Sequence, residues 1–194
     1  SAHNLEDIKL QRSSMRGVKL NQALLRRAQL NEVQAQGAEL RGATLTEAQI
    51  ARGDWSECDL EGAVMKRAVL TQVQMSRAQL RSVDWSGGEG RDLMMEGVIF
   101  DHATLLGAHL ELNDFTQASF NDARLTQADL NHSALLGASF KRAELDGAQL
   151  TYCQLDGASF VEARGEGVSF DSASMSRVLL SDVSLPDSSW SGTR

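Results

Sequence analysis

The feature that most constrains this chain is a side-chain pattern that repeats every five residues without a slip. Of the 38 positions whose number is a multiple of five, 35 hold Leu, Phe, Met, Ile or Trp; the exceptions are Ala35, Gly90 and Gly165. Two residues earlier, 19 of 38 positions hold Ala and 8 hold Val. Five is neither the helical period of about 3.6 nor the strand period of about 2. Because one insertion would shift the pattern, the 194 residues predict a single uninterrupted array of short repeats.

Many of these five-residue units share a small residue, then a polar residue, then Leu or Phe, as in "ADLNH", "ASFND", "CDLEG", "AELDG" and "ASFVE". Along essentially the whole chain they resemble the pentapeptide-repeat family. The resemblance implies an all-β fold, a right-handed quadrilateral parallel β-helix in which four units form a square coil of about 20 residues. It also implies that the large residue and the small residue two positions before it point inward. The other three residues then face solvent.

Packing arguments agree with that fold. Ala or Val at the small position keeps the interior from overfilling. Glycine shortly after the large residue suits tight corners, as at Gly17, Gly37, Gly42, Gly107, Gly137, Gly147 and Gly157. An α-solenoid would need apolar residues three and four apart, whereas here the spacing alternates between three and two. About 9.5 coils, spaced about 4.8 Å apart, predict one domain over residues 1–194, a rod roughly 45 Å long.

The outward charges support the coil length independently. Residues 20 apart should stack, and Arg124, Glu144 and Arg164 alternate in sign at that spacing. Arg41, Glu61, Arg81 and Asp101 form a second such column, and Asp122, Arg142 and Glu162 form a third. Each exposed ion pair contributes only about a few tenths of a kcal/mol to stability. We interpret the columns either as solvated ladders of charged side chains or as a ligand-binding surface.

Composition excludes several classes of function. The net charge of −7 disfavours a bulk attraction to nucleic acid or to an anionic membrane. No apolar run is long enough to span a bilayer, and no signal peptide is visible. We therefore expect a cytoplasmic protein, with a secreted effector as the alternative. Because the chain starts with Ser1 rather than Met, an excised domain of a larger protein is also expected.

No catalytic or metal-binding motif is apparent, so the sequence predicts no enzyme activity, cofactor or metal. The four histidines fall in different columns, and there is no Cys/His metal spacing, phosphate-binding glycine loop or GxSxG motif. Cys58 and Cys153 both occupy the small inward position, nearly five coils apart. They are predicted to be buried thiols rather than a disulfide.

The stretch "SGGEGRD", residues 86–92, is the poorest repeat, because Gly88 and Gly90 replace both inward side chains. One interpretation is a flexible, locally bulged contact loop formed by Gly87, Gly88, Glu89, Gly90 and Arg91. The other is a packing defect filled by a neighbour such as Trp85 or Met95. Residues 163–170 contain a milder defect, with Gly165 at the large position.

Some outward positions hold large apolar or aromatic residues. Leu112, His132 and Tyr152 are 20 residues apart and should stack in one column. Such a strip on a polar rod predicts a partner surface, although scattered exposed apolar residues are also ordinary. The candidate partner surface comprises Met94, Ile99, Leu112, His132, Leu136 and Tyr152.

Charge is uneven along the chain. Residues 1–97 carry 13 acidic and 13 basic side chains, whereas residues 98–194 carry 13 acidic and 6 basic ones. Within the family, the Qnr and MfpA group resembles duplex DNA and binds DNA gyrase or topoisomerase IV. That resemblance implies an alternative function as a DNA mimic, with carboxylates occupying a basic saddle. The candidate acids are Asp101, Glu111, Asp122, Asp129, Asp146, Asp156, Glu162 and Asp171.

The main functional prediction is a non-enzymatic structural or protein-interaction module. The resemblance implies a place in a larger bacterial protein, such as a secretion-system accessory or effector. Open β-helix ends need covering. Either Trp190 covers the last coil, or an end-to-end homodimer or flanking domains cover the open ends. Interrupting arginines and the absence of an inserted loop count against the gyrase alternative.

Overall fold

The chain forms a parallel β-solenoid in a computed structural model that describes residues 3–194. Each bridging residue pairs with the residue 20 positions later, from Asn4↔Leu24 at one end to Ser169↔Ser189 at the other. The register never changes between these pairs. The predicted all-β solenoid with four pentapeptides per coil is therefore confirmed.

The strands are short and lie at one corner of the first coils. They are β1 (Lys9–Gln11), β2 (Gln29–Asn31), β3 (Gln49–Ala51), β4 (Val69–Thr71) and β5 (Glu89–Arg91). They pair in parallel in the order β1-β2-β3-β4-β5, again with a shift of 20 residues. Elsewhere each side contributes a single bridging residue, such as Asp114, which pairs with Ala134.

The large and small inward columns fill the interior. Phe100, Phe120, Phe140 and Phe160 lie one above another, with ring centroids 5.2, 4.9 and 4.8 Å apart and interplanar angles of 10°, 4° and 4°. These separations match the spacing of about 4.8 Å between neighbouring parallel strands. All four rings are fully buried, so the coil rise itself sets the aromatic stacking.

Each coil turns at corners made of two outward residues, and the second of them has a left-handed backbone. Its φ lies between 51° at Arg12 and 73° at Gly157. A turn hydrogen bond usually closes the corner, as where the Ala138 amide donates to the Leu135 carbonyl at 3.1 Å. The predicted corner glycines, including Gly137, all occupy this left-handed position.

One corner changes its geometry half-way along the rod, and a buried asparagine lies at the change. Up to β5 the first residue of this corner, such as Arg91, still belongs to a strand. From the coil of Ser133 onward the corner is a closed turn, in which the Ser133 amide donates to the Leu130 carbonyl at 3.2 Å. Between them, Asn113 accepts from the Leu93 amide at 2.8 Å and donates to the Gly90 carbonyl at 2.9 Å. We call this place the switch corner.

The same network continues into the next two coils. The Asn113 amide donates to the Ser133 hydroxyl at 3.2 Å, and that hydroxyl donates to the Leu110 carbonyl at 3.2 Å. The Cys153 thiol donates to the Leu130 carbonyl at 3.0 Å. Asn113, Ser133 and Cys153 all occupy the small inward position, which holds Ala or Val in most units. Because buried polar groups need partners, each of these side chains bonds backbone groups of the preceding coil.

The glycine-rich segment does not form the bulged loop that was one interpretation of its sequence. Glu89, Gly90 and Arg91 form β5 in register with β4. A Cβ on Gly88 would lie 2.0 Å from the Trp85 ring, and one on Gly90 would lie 2.7 Å from Leu93 and 2.8 Å from Leu110. Neighbouring side chains fill the space, so the candidate loop of Gly87, Gly88, Glu89, Gly90 and Arg91 is regular backbone.

The second defect has a different cause. A Cβ on Gly165 would lie 2.6 Å from the Leu145 carbonyl carbon of the preceding coil. The backbone of the two coils approaches too closely there for a side chain. In the last coil the inward residues are less covered, with Leu180 41% exposed, and Trp190 stacks on Phe170 with centroids 4.3 Å apart.

Candidate functional site

The most distinctive surface feature is a column of three large side chains at one corner. Leu112, His132 and Tyr152 each occupy the second corner position, with φ of 61°, 60° and 59°. The His132 and Tyr152 rings stack face to face, with centroids 4.9 Å apart and an interplanar angle of 7°. Leu112 is 69% exposed and Tyr152 is 57% exposed. We call these three residues the corner column.

The remaining candidates of the partner surface lie at different distances from the corner column. Met94 belongs to the same side of the rod, in the stack Met94↔Asp114↔Ala134, and it is exposed. Leu136 lies at the next corner of the same side and is also exposed. Ile99 is half-buried in the stack Gln79↔Ile99↔Ser119, which belongs to the adjoining side. The structure thus groups Met94, Leu136 and the corner column and separates Ile99 from them.

Most of the candidate acidic residues hold the coils together. Four of them accept a hydrogen bond from the backbone amide 20 residues later; the pairs are Asp101 with Asn121, Asp146 with Glu166, Asp156 with Ser176, and Asp171 with Ser191. The donor–acceptor distances are 3.2, 2.9, 2.9 and 2.7 Å. A carboxylate in this position both satisfies an exposed amide and ties one coil to the next.

Other acids pair with arginines as the alternating columns predicted. Arg142 binds both carboxylate oxygens of Asp122 at 2.8 Å, and this bidentate contact lowers the pKa of Asp122. Glu144 contacts Arg124 at 3.2 Å and Arg164 at 2.9 Å. Of the 13 acids in residues 98–194, Asp101, Asp122 and Glu144 contact an arginine, so these ion pairs remove part of the charge that a DNA mimic would present.

Two further candidate acids, Glu111 and Asp129, lie next to His109, a residue that sequence reasoning did not single out. Their ligand-type atoms all lie within 4.8 Å of one another. His109 and Asp129 are bridge partners one coil apart, and Glu111 follows His109 around a corner. No linear metal-binding spacing connects the three residues, although the 20-residue period places His109 over Asp129.

The two cysteines are buried free thiols, as predicted. Burial raises the pKa of Cys153 to about 12 and raises the pKa of Cys58 further. Both thiols are therefore protonated at neutral pH and are poor nucleophiles. Neither supplies a candidate catalytic group.

Lowering the pH below about 4 is expected to destabilise the rod. Hydrogen bonds from Arg27 and Ser174 lower the pKa of Asp7 and Asp156, as Arg142 does for Asp122. A carboxyl whose folded pKa lies below its unfolded value of about 3.9 stabilises the fold above that value. This stability is lost as the pH falls through the folded pKa, because the unfolded chain then binds more protons.

Thermal unfolding followed by circular dichroism at pH 7, 5, 4 and 3 measures this effect. The midpoint should change little between pH 7 and 5 and then decrease. Asp122→Asn should show a smaller decrease than the parent chain. A midpoint that stays constant to pH 3 contradicts the role assigned to these carboxylates.

Comparison with known proteins agrees with this geometry. The family model described as pentapeptide repeats matches residues 8–47, 54–87, 95–131, 123–160 and 148–187. The chain belongs to the pentapeptide-repeat family. A comparison with curated protein sequences gives no match. Within residues 3–194 of this pentapeptide-repeat protein, no helix is long and apolar enough to cross a membrane.

Two solved structures illustrate the likeness of this pentapeptide-repeat protein to others. HetL, which is involved in heterocyst differentiation regulation in the cyanobacterium Nostoc sp. strain PCC 7120, is 26% identical with a TM-score of 0.53. The match covers 99% of this chain and 89% of HetL. QnrB1, a plasmid-mediated fluoroquinolone resistance protein, is 15% identical with a TM-score of 0.59, over 96% of this chain and 92% of QnrB1. The likeness to QnrB1 shows the fold alone.

Proposed function

We propose that this chain is a non-enzymatic protein-interaction module, a rigid rod that binds a partner protein through the corner column. The observation that carries the proposal is the solvent-exposed stack of His132 on Tyr152, with Leu112 one coil away. Aromatic residues dominate the binding energy of many protein interfaces. A contiguous group of exposed apolar side chains on a soluble surface commonly marks an interaction site.

The scaffold favours binding because it holds these side chains in place before the partner arrives. The Leu112, His132 and Tyr152 amides donate to the carbonyls of Asn131, Thr151 and Asp171, at 3.0, 2.9 and 2.8 Å. Little backbone ordering is then required on association, which lowers the entropic cost of binding. Met94 and Leu136 extend the apolar area on the same side, and the docking surface proposed here consists of these two residues and the corner column.

The comparisons support an interaction role in general terms. HetL and QnrB1 share the rod and differ in biological role, so the outward side chains rather than the fold are expected to select the partner. The two free buried thiols suit a reducing compartment such as the cytoplasm. Membership of a larger bacterial protein, such as a secretion-system accessory or effector, stays a prediction.

The DNA-mimic alternative is supported by the excess of acids in residues 98–194 and weakened by how those acids are used. Asp122 is bound by Arg142 and Asp101 lies 3.8 Å from Arg81. Asp146, Asp156 and Asp171 accept from backbone amides, which leaves their charge in place but fixes it between the coils. A mimic of DNA needs unpaired negative charge along a continuous stripe. Glu162 shares a column with Asp122 and Arg142 and has no ion pair within residues 3–194, because Arg142 contacts Asp122.

Site-specific photo-crosslinking in cells of the source organism tests the docking surface. A photoreactive phenylalanine analogue replaces Tyr152 in one variant and Glu162 in another. Both positions are second corner residues with φ of 59°, ten residues and therefore two corners apart. We expect a discrete crosslinked protein from position 152, and at least a tenfold weaker band when Leu112→Ser and His132→Ser are added.

The matched variant at position 162 is the control for non-specific labelling. Equal labelling from both positions, or labelling from 152 that survives the two serine substitutions, contradicts the proposal. A DNA gyrase supercoiling assay separates the alternative. Inhibition at micromolar protein that Asp122→Lys or Glu162→Lys weakens would favour the DNA mimic over the interaction module.

A further inference from the structure

We propose that His109, Glu111 and Asp129 form a surface site for a zinc ion. Their ligand atoms lie within 4.8 Å of one another. One imidazole nitrogen with carboxylate oxygens is a donor set that Zn²⁺ accepts, whereas Ca²⁺ and Mg²⁺ prefer oxygen ligands alone. The proposal concerns the chain itself and does not depend on the docking function.

The solenoid brings the three residues together from positions that a linear motif would not connect. The backbone bridge between His109 and Asp129 fixes the imidazole and one carboxylate on neighbouring coils. The His109 amide donates to the Gly88 carbonyl and the Asp129 amide donates to the Ala108 carbonyl, both at 2.9 Å. Ligands held on rigid backbone need little ordering when the metal binds.

The donor atoms are available and close to the required separation. The Asp129 Oδ1 accepts from the Asn131 amide at 2.9 Å, which orients the carboxylate and leaves Oδ2 for a metal. The His109 Nδ1 lies 3.9 Å from Glu111 Oε1, too far for a hydrogen bond. Two ligands that each lie about 2.1 Å from one zinc ion are separated by roughly 3–4 Å. Small rotations of the exposed His109 side chain and the half-buried Glu111 side chain would close the remaining gap.

The two carboxylates of the group also lack a basic partner. Neither Glu111 nor Asp129 contacts a lysine or arginine within residues 3–194, while Asp122 and Glu144 do. Arg91, which lines the adjacent depression, is paired with Glu89 at 3.1 Å. A divalent cation would neutralise the two carboxylates that the protein leaves without a cationic partner.

The site opens onto a depression of about 520 Å³ lined by Glu89, Arg91, Asp92, His109, Glu111 and Leu112. Three protein ligands leave at least one coordination position for water or for a side chain of another protein. Leu112 belongs to the corner column, so the zinc ion would lie at the edge of the proposed docking surface. A bound partner could supply the fourth ligand.

Isothermal titration of the full chain with Zn²⁺ tests the site, with Co²⁺ absorption as a second readout. We expect one ion per chain with a micromolar dissociation constant, and at least a tenfold loss of affinity in His109→Ala and in Asp129→Asn. His3→Ala, His102→Ala and His132→Ala are matched controls, and each should leave the affinity within about twofold. Circular dichroism confirms that each variant is folded.

Three results would overturn the proposal. The first is the absence of saturable binding below about 100 μM Zn²⁺. The second is a loss of affinity in a control histidine variant as large as in His109→Ala. The third is equally tight binding of Mg²⁺, because an imidazole-containing site discriminates against that ion. Since no partner is present in the titration, failure of the docking proposal would not change any of these outcomes.

Discussion

Replacing Phe140 by Ala is expected to reduce the free energy of unfolding by about 3–5 kcal/mol, as for other buried aromatic residues. The Phe140 ring is fully buried and stacks between Phe120 and Phe160, with centroids 4.9 and 4.8 Å away. Its removal opens a cavity between two aromatic rings that the rigid coils cannot close. Urea denaturation followed by circular dichroism, with the denaturant slope checked for cooperative unfolding, measures the change.

Phe140→Leu is the matched control, because Leu occupies the same inward position in most other units. It retains most of the apolar volume and should cost less than about 1.5 kcal/mol. If the alanine and leucine variants were equally stable, the aromatic stack would not contribute to the stability of the rod. A decrease in the slope for Phe140→Ala would show instead that the coils unfold in separate steps.

Replacing Asn113 by Ala is expected to reduce the free energy of unfolding by about 2–5 kcal/mol. The Asn113 side chain is 3% exposed and bonds both the Leu93 amide and the Gly90 carbonyl. Its truncation leaves two buried backbone groups without partners, each at a cost of about 1–3 kcal/mol. Urea denaturation gives the total, and hydrogen exchange of the Leu93 amide gives the local effect.

Asn21→Ala is the matched control for this substitution. The Asn21 side chain accepts from the Arg41 amide at 2.8 Å, but it lies on the exposed surface. Water can replace that bond, so the loss should stay within about 0.5 kcal/mol. Equal effects of the two substitutions, or an unchanged exchange rate at Leu93, would contradict the role assigned to Asn113 at the switch corner.

The fold could be predicted from the sequence because its determinants repeat. Each unit places one large and one small residue inward, so a register error at one unit would be visible at all the others. The five-residue period also predicted that the thiols of Cys58 and Cys153 are buried and that Asp122 pairs with Arg142. These features depend only on column membership, which the five-residue period defines.

The local departures could not be predicted, because they depend on side chains that do not repeat. The interpretation of residues 86–92 as a bulged loop was wrong because Trp85, Leu93 and Leu110 fill the space that the glycines leave. The switch corner depends on Asn113, whose position in the small column was visible but whose two backbone partners were not. The corner column was predicted from the 20-residue spacing. The grouping of His109 with Glu111 and Asp129 is visible only in three dimensions, because it also depends on how Glu111 is placed by the corner.

The switch corner also limits how a rod of this kind can change its length during evolution. Duplication or deletion of one whole coil preserves every column, so length can vary in steps of about 4.8 Å. Such exchange is neutral only within a segment whose corners are alike. Asn113 bonds the last coil of the strand segment on one side and Ser133 on the other. A coil moved from the segment before Leu93 into the segment after Ser133 would have no such side chain to join the two corner types. The rod therefore consists of two segments with different corners, one before and one after Asn113, and each segment can gain or lose coils separately.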